Sequence, residues 1–245
     1  MFHRSRRAFT LVELCVVIGT IAVLIALLMP AITKVAEQGK QIKCANNERQ
    51  IYMALVFYSQ ENKGRLPIPP QIGETTASWM YPCPTAGTIS YSTGRLWSYL
   101  AANPDACFDV FNCPTDLNDV RVVRKGTVQV LPRNFTYSFN AQMRLSAPHA
   151  SPAVLGIRWT DIICPATKVL VIEEQWPNDG CAYVSGAGDE DDIFTNRHNH
   201  RGNQTFADGH VECLAPEDFG FDTNGTGLFL NKAQNATTCN LFYAR

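Results

Sequence analysis

The sequence predicts an α+β fold in which a long N-terminal, membrane-spanning helix packs on a globular head that contains an antiparallel sheet. Residues 14–29 are apolar and uncharged, a helical pattern continues to about Glu61, and Asp208-Gly209 separates two short stretches of strand-forming residues. About 20 apolar residues cross a bilayer as a helix, and Asp-Gly between two strands is a hairpin signal. The chain is therefore expected to combine one anchor with one globular domain.

The first element is predicted to be a single helix from Phe9 to about Glu61, with its membrane segment at about residues 9–33. Pro30 is expected to kink this helix without ending it. Gly64 is expected to end it, and residues 66–70 are read as an extended linker. Apolar residues recur at helical spacing along its outer half and predict one stripe that packs on the head: Ile32, Val35, Ile42, Ile51, Leu55 and Tyr58.

The head is assigned to residues 64–245 and its elements are predicted from short local signals. Strand-forming residues and turn residues alternate along this part of the chain. The hairpin turn at Asp208-Gly209 is predicted to be of type I′. The other predicted elements are a short helix at Trp97–Leu100, a turn at 113–116, strands at 119–131, 134–139 and 168–174, and hairpin strands at 204–207 and 210–214.

Nine cysteines in 245 residues indicate an oxidising compartment. Cys15 lies in the apolar helix, and the eight others allow four bridges in 105 connectivities. If Cys44 stays free on its helix, one further cysteine is left without a partner. No Cys-x2-Cys pair occurs, so the spacing favours disulfides over a zinc site.

The charge balance gives no sign of a nucleic-acid partner. The chain has 21 basic and 22 acidic residues. Three of the basic residues, Arg4, Arg6 and Arg7, precede the apolar run, and without them 18 basic residues remain, a net charge of −4. The rest are scattered and form no basic patch.

The first residues combine a basic leader with one acidic residue at the start of the apolar run. The leader, residues 1–8, ends at Ala8, Phe9-Thr10-Leu11-Val12-Glu13 follows it, and Glu13 is the only charged residue between Arg7 and Lys34. This arrangement resembles the type IV prepilin cleavage and methylation signal. A buried charge within a membrane costs roughly 2.5–3.5 kcal/mol at mid-depth and less near the interface, so Glu13 is expected to have a partner. The family has a glycine where this chain has Ala8, a difference that bears on the efficiency of cleavage.

The resemblance implies a bacterial protein whose processing is followed by assembly. A prepilin peptidase would cleave between Ala8 and Phe9 and methylate the new amino group of Phe9. That amino group, with a pKa of about 8, would pair with Glu13 of a neighbouring subunit, and Pro30 falls where pilins often carry a kinking proline. Three other interpretations compete. A secretory signal is disfavoured because the chain has no good small-x-small cleavage site after the apolar run, and a lipoprotein signal is disfavoured because Leu14 precedes Cys15. An uncleaved signal anchor is the third.

The C-terminal part resembles a subgroup of pseudopilin-like proteins. His198, nine further residues and Asp208-Gly209 match its His-x9-Asp-Gly signature, within the hairpin region 198–214. The stretches 44–50, with Tyr58 downstream, 111–114 and 206–211 resemble the same group. These matches imply a pseudopilin-like architecture more firmly than they imply which molecule the machinery transports.

Two groups of side chains offer candidate metal or catalytic sites. His198, His200 and His210 are expected near Asp208, where imidazole and carboxylate could hold zinc or transfer protons, but a structural role for His198, Asp208, Gly209 and His210 is preferred. The acidic run Asp189, Glu190, Asp191 and Asp192 follows flexible glycines and is a candidate Ca²⁺ site, although its order is not that of an EF-hand. No other cofactor is expected, and Glu173-Glu174 is read as the end of a buried strand.

The preferred function is a non-enzymatic pseudopilin or pilin-like subunit of a type II secretion or type IV pilus-like filament. Its partners would be the prepilin peptidase, like or related subunits and the cytoplasmic membrane. The N-terminus would lie inside and the head on the periplasmic side, because basic residues stay on the cytoplasmic side. The alternatives are an anchored binding protein that does not polymerise and, behind it, an anchored hydrolase that uses His198.

Overall fold

The computed structural model describes residues 10–68, 79, 94–100, 109–116, 121–124, 127–130, 135–140, 143, 156–175, 181–182 and 194–219. The chain divides into two compact units, Met1–Gly39 and Lys40–Arg245. One long helix, α1 (Leu11–Glu61), contributes its first part to the first unit and its last part to the second. The α+β class predicted from the sequence is confirmed by this helix and a mainly antiparallel sheet.

Helix α1 ends where the sequence predicts, with a Schellman-type turn. The N–H of Gly64 donates to the carbonyl oxygen of Ser59 at 2.7 Å, the bond that closes such a cap. Both Lys63 (φ 59°) and Gly64 (φ 74°) are left-handed. Lys63, just after the helix, therefore has a left-handed backbone conformation that glycine would adopt more easily.

A Lys63→Gly variant is expected to raise the free energy of unfolding by about 0.5 kcal/mol. The left-handed conformation costs a side-chain residue roughly 1–2 kcal/mol, and the greater freedom of glycine in the unfolded chain offsets part of the gain. Guanidinium denaturation of the full chain in detergent, followed by tryptophan fluorescence, measures the change. Lys63→Ala is the control and should bring no gain; an equal gain from alanine would contradict the explanation.

The outer half of α1 belongs to the second unit and packs into its core through one face. Its buried residues are three or four positions apart, as one helix face requires: Cys44, Asn47, Glu48, Ile51, Ala54, Leu55, Tyr58 and Ser59. Ile51 and Leu55 are fully buried in the core, where each side chain stabilises by roughly 1.5–3 kcal/mol. Ile32, Val35 and Ile42 are 63%, 65% and 61% exposed, so their predicted places in the stripe are wrong; the buried face begins at Cys44.

A five-stranded sheet forms the centre of the second unit. Its order is β5-β3-β4-β6-β7, and four of its strands are antiparallel neighbours, while the two-residue β5 pairs with β3 in parallel. The predicted antiparallel sheet is thus present with one parallel edge pair. The strands are β3 (Tyr137–Asn140), β4 (Val169–Glu173), β5 (Cys181–Ala182), β6 (Gly202–Phe206) and β7 (Val211–Leu214).

Residues 119–131 do not form the single strand that the sequence predicts. Two strands, β1 (Arg121–Arg124) and β2 (Thr127–Val130), pair with each other as an antiparallel ribbon. Alternating β-branched residues fit one long strand as well as two short ones, and the Lys125-Gly126 dipeptide between them is the overlooked turn signal.

The remaining short elements frame the core. Helix α2 (Trp97–Leu100) is confirmed, and 3₁₀ turns occupy Trp159–Asp161, Pro165–Thr167 and Pro216–Phe219. Trp79 is fully buried and its ring lies 5.7 Å from Phe111 and 5.5 Å from Phe139, centre to centre. Aromatic pairs at this separation stabilise a core beyond the area they bury.

Candidate functional site

The N-terminal part of α1 exposes an almost uninterrupted apolar surface. From Leu11 to Thr33 the helix carries one charge, Glu13, and its side chains are exposed throughout this stretch. At 1.5 Å per residue, these residues make a helix of roughly 35 Å, enough to cross a hydrocarbon core of about 30 Å. The helix is therefore long and apolar enough to span a membrane. The α-helix continues through Pro30.

Glu13 makes a reciprocal hydrogen-bonded cap with Thr10 at the start of this helix. Its Oε2 accepts hydrogen bonds from the Thr10 backbone N–H at 2.9 Å and from the Thr10 hydroxyl at 2.7 Å. The Glu13 N–H lies 3.3 Å from Thr10 Oγ1. This is the capping box that Thr-x-x-Glu predicts, a signal readable from sequence and overlooked there. Glu13 thus has a structural role within one chain, besides any role in assembly. Ala8 and Phe9 lie outside the described residues.

Four side chains from distant parts of the sequence converge in the second unit. Cys44 comes from α1, Cys113 from the turn after residues 109–111, Glu173 from the end of β4, and His198 from the turn before β6. Their ligand-type atoms all lie within 4.8 Å of one another, and all four residues are buried. We call this group the Cys-His-Glu cluster. In the part of the chain that the structure describes, no other group of three or more such residues converges in this way.

Within the cluster, Cys44 and Cys113 form a disulfide with a Cα–Cα distance of 5.2 Å. His198 Nε2 lies 3.3 Å from Cys113 Sγ and 3.2 Å from Glu173 Oε1. Cys44 is therefore paired, and the alternative in which it stays free on its helix does not apply. The bridge joins α1 to the segment that leads into the sheet.

Cys164 is also disulfide-bonded, and Cys213 is free, so the eight cysteines after Cys15 do not all pair.

A second layer of polar groups orients the cluster. Glu173 Oε2 accepts the Asn203 backbone N–H at 3.0 Å, while Oε1, on the cluster side, accepts no hydrogen bond. Arg197 lies 3.9 Å from Glu173 Oε1 but forms its shorter ion pair, 2.9 Å, with Asp116. Thr136 joins Asp116 to the loop, since its hydroxyl donates to Asp116 at 2.7 Å and accepts the Cys113 N–H at 3.0 Å.

The stretch 44–50 of α1 holds two neighbouring elements beside the cluster. Asn47 Nδ2 donates to the carbonyls of Asp109, at 2.8 Å, and Asn112, at 3.1 Å, and so holds the loop that carries Cys113. The Thr205 hydroxyl donates to Glu48 Oε2 at 2.6 Å. The motif at 44–50 is thus the surface of α1 that binds both the loop and strand β6.

Glu48 is a fully buried carboxyl group. Burial raises its pKa well above the usual value, and the nearby charge of Glu173 adds to this effect. A carboxyl group with a raised pKa in the folded state binds its proton more tightly there than in the unfolded chain. Its contribution to stability is complete below the unfolded pKa and is lost as the pH rises toward the folded pKa.

A Glu48→Gln variant is therefore expected to match the wild type at about pH 4 and to become the more stable protein as the pH rises. The difference should grow by about 1.4 kcal/mol for each pH unit between the unfolded and folded pKa values. Guanidinium denaturation from about pH 4 to about pH 8 tests this. Glu212→Gln on the exposed edge is the matched control, and a difference that stays constant with pH would contradict the explanation.

The Asp208-Gly209 turn needs a glycine at position 209, both for its backbone conformation and for its packing. Gly209 N–H donates to the Phe206 carbonyl at 2.9 Å, and Gly209 (φ 96°) is left-handed while Asp208 is not. This is typical of a type I turn with a bulge at glycine, so the predicted type I′ turn is wrong. A Cβ atom on Gly209 would also lie 2.6 Å from the ring of Tyr52.

His198 and His210 lie in different surroundings. The exposed His210 Nδ1 lies 2.6 Å from Asp208 Oδ1, and its ring stacks on Phe206 at 4.2 Å. His198 is 1% exposed and faces Cys113 and Glu173. The described residues therefore contain no zinc-type group of histidines around Asp208. The calcium candidates Asp189, Glu190, Asp191 and Asp192 lie outside the described residues.

Comparison of the chain with protein-family models, with curated proteins and with solved structures finds no match to any of them.

Proposed function

We propose that the chain is a pseudopilin-like structural subunit without enzymatic activity. It is anchored in the cytoplasmic membrane by the N-terminal part of α1, with its head on the periplasmic side. A prepilin peptidase cleaves it between Ala8 and Phe9, and it assembles through the same helix into a type II secretion or type IV pilus-like filament.

The observation that carries the proposal is the exposed apolar surface from Leu11 to Thr33 with a single carboxylate at its start. A continuous apolar surface of this size needs lipid or other protein around it. Lipid alone would explain the apolar residues, but a carboxylate within the membrane is costly without a cation. The new amino group of a processed neighbour is such a cation. Three leader arginines, Arg4, Arg6 and Arg7, support an inside orientation of the N-terminus.

The first test is the N-terminal residue and the intact mass of the protein from native membranes. The proposal expects a chain that begins with N-methylated Phe9. A chain that still begins with Met1 would overturn the processing step and leave a plain membrane anchor.

Assembly is tested by a photo-crosslinking residue at Ile25, which is exposed in the apolar helix. Filament assembly predicts ladders of crosslinked subunits from this position in native membranes. Ile163, exposed on the second unit, is the control position and should give far fewer. Processed protein that gives no ladder from Ile25 would favour the anchored binding protein.

A cavity supports that second candidate. It has a volume of about 600 Å³ and lies beside the C-terminal end of α1. Four cationic residues are among those that line it, and they suit an anionic ligand: Lys63, Arg65, Arg95 and Arg158. In contrast, His198 is buried among the described residues, whereas a hydrolytic residue must reach its substrate, so the hydrolase is not proposed.

A further inference from the structure

We propose that the Cys-His-Glu cluster is a binding site for a divalent transition-metal ion of the zinc class when Cys44 and Cys113 are thiols. The ligands are Cys44 Sγ, Cys113 Sγ, His198 Nε2 and Glu173 Oε1. Disulfide and metal site are two alternative states of one buried group. The inference rests on the cluster alone and is independent of the proposed function.

The distances suit tetrahedral coordination. Zinc lies roughly 2.3 Å from sulfur and about 2.0–2.2 Å from nitrogen or oxygen, so two ligands of one ion are separated by roughly 3.3–3.8 Å. His198 Nε2 is 3.2 Å from Glu173 Oε1 and 3.3 Å from Cys113 Sγ. Opening the disulfide lets the two sulfur atoms move apart by rotation about their side-chain bonds. The other ligand atoms are already in place.

Glu173 supplies an independent observation that points to a ligand. Its Oε1 is buried, faces the cluster and accepts no hydrogen bond. A buried carboxylate oxygen that lacks a hydrogen bond is costly, and a metal ion would satisfy it. The Asn203 N–H holds the other oxygen at 3.0 Å, the kind of second contact that orients metal ligands.

The neighbouring cation does not occupy the place of the ion. Arg197 pairs with Asp116 at 2.9 Å and donates to the carbonyls of Glu174, at 2.7 Å, and Gln175. Its nitrogen is 3.9 Å from Glu173 Oε1, farther than a hydrogen bond. The set has two soft thiolates, one borderline imidazole and one hard carboxylate, and the thiolates and imidazole favour Zn²⁺ over Ca²⁺ or Mg²⁺.

The exchange between the two states balances in protons and electrons. A newly made chain carries thiols, and binding of one ion to Cys44 and Cys113 releases two protons and needs no redox step. Starting from the disulfide, a dithiol reductant supplies two electrons and two protons and becomes a disulfide itself. In the reverse direction, a disulfide oxidant takes two electrons from the thiolates and two protons from solvent and becomes two thiols, the S–S bond of Cys44 and Cys113 forms, and the ion is released.

The test uses the full chain in detergent. It is unfolded in guanidinium chloride with a phosphine reductant under nitrogen, freed of reductant, and refolded with Co²⁺ as the probe. Thiolate-to-cobalt charge-transfer absorption and the visible bands of tetrahedral Co²⁺ report binding. The wild type should bind one equivalent more than a Cys44→Ala/Cys113→Ala variant, and the oxidised wild type should lack that equivalent. Cys213→Ser removes a free thiol outside the cluster and should bind like the wild type.

Two further measurements test the proposal even if the double-alanine variant folds poorly. Glu173→Gln should weaken Co²⁺ binding by at least about tenfold, and X-ray absorption of wild type with one equivalent of Zn²⁺ should show two sulfur and two nitrogen or oxygen neighbours. Equal Co²⁺ binding by the wild type and the double-alanine variant would overturn the site. A shell of four sulfur atoms would overturn it as well, because it would assign the ion to other cysteines.

Discussion

A Glu13→Gln variant is expected to reach the membrane normally and to lose filament assembly. Glutamine is a good capping-box residue, so the hydrogen bonds to Thr10 can persist while the negative charge disappears. The apolar surface of the helix is otherwise unchanged. In the proposed filament, the amino group of a neighbouring Phe9 would then lack its ionic partner in the membrane, and its burial would be unfavourable. Crosslinked ladders from Ile25 should fall at least about tenfold, a loss of about 1.4 kcal/mol or more.

Thr10→Ala is the matched control, because it removes the capping hydroxyl and retains the carboxylate. Loss of such a cap costs about 0.5–2 kcal/mol of helix stability, which a helix held by lipid can tolerate. This variant should therefore assemble nearly as well as the wild type, and Glu13→Asp should assemble in part. If Glu13→Gln assembles like the wild type while Thr10→Ala does not, Glu13 acts only as a cap, and the proposed charge pairing is wrong.

Glu13 shows what sequence reasoning can reach and what it can miss. The position of one carboxylate at the mouth of an apolar helix is visible in the sequence, and so is the Thr-x-x-Glu capping box. Both are local patterns within six residues. The helix end at Glu61 and the strand β4 were likewise predicted correctly, because each depends on a local signal of period or of turn residues.

The Cys-His-Glu cluster could not be predicted in the same way. Its four residues are spread from position 44 to position 198, and the sequence allows 105 pairings of eight cysteines. Glu48 lies in the polar stretch Asn46-Asn47-Glu48-Arg49-Gln50, and its sequence surroundings give no sign that it is buried against Thr205. Contacts of this kind depend on how α1 packs on the sheet, which no local pattern specifies.

The second large effect concerns the disulfide itself. A Cys44→Ala/Cys113→Ala variant is expected to lose about 4 kcal/mol of the free energy of unfolding. The bridge spans a sequence separation of 69 residues, and closing a loop of that size removes roughly 4.4 kcal/mol of entropy from the unfolded chain. Alanine is preferred to serine, because both cysteines are fully buried and a hydroxyl there would add its own desolvation cost. Guanidinium denaturation of the full chain in detergent measures the loss.

Cys213→Ser is the control for thiol removal and should change stability by less than about 1 kcal/mol. The reduced, metal-free wild type should resemble the double-alanine variant reduced in the same way, since both then lack every disulfide, including the one at Cys164. A loss below about 1 kcal/mol would show that the bridge does not constrain the unfolded chain in this way. Added Zn²⁺ should then give the reduced wild type and the reduced double-alanine variant different free energies of unfolding. At a hundredfold excess over its dissociation constant, an ion that binds only the folded state stabilises it by about 2.7 kcal/mol. Only the reduced wild type should regain stability, because only that protein carries the two thiolates that hold the ion in place of the bridge.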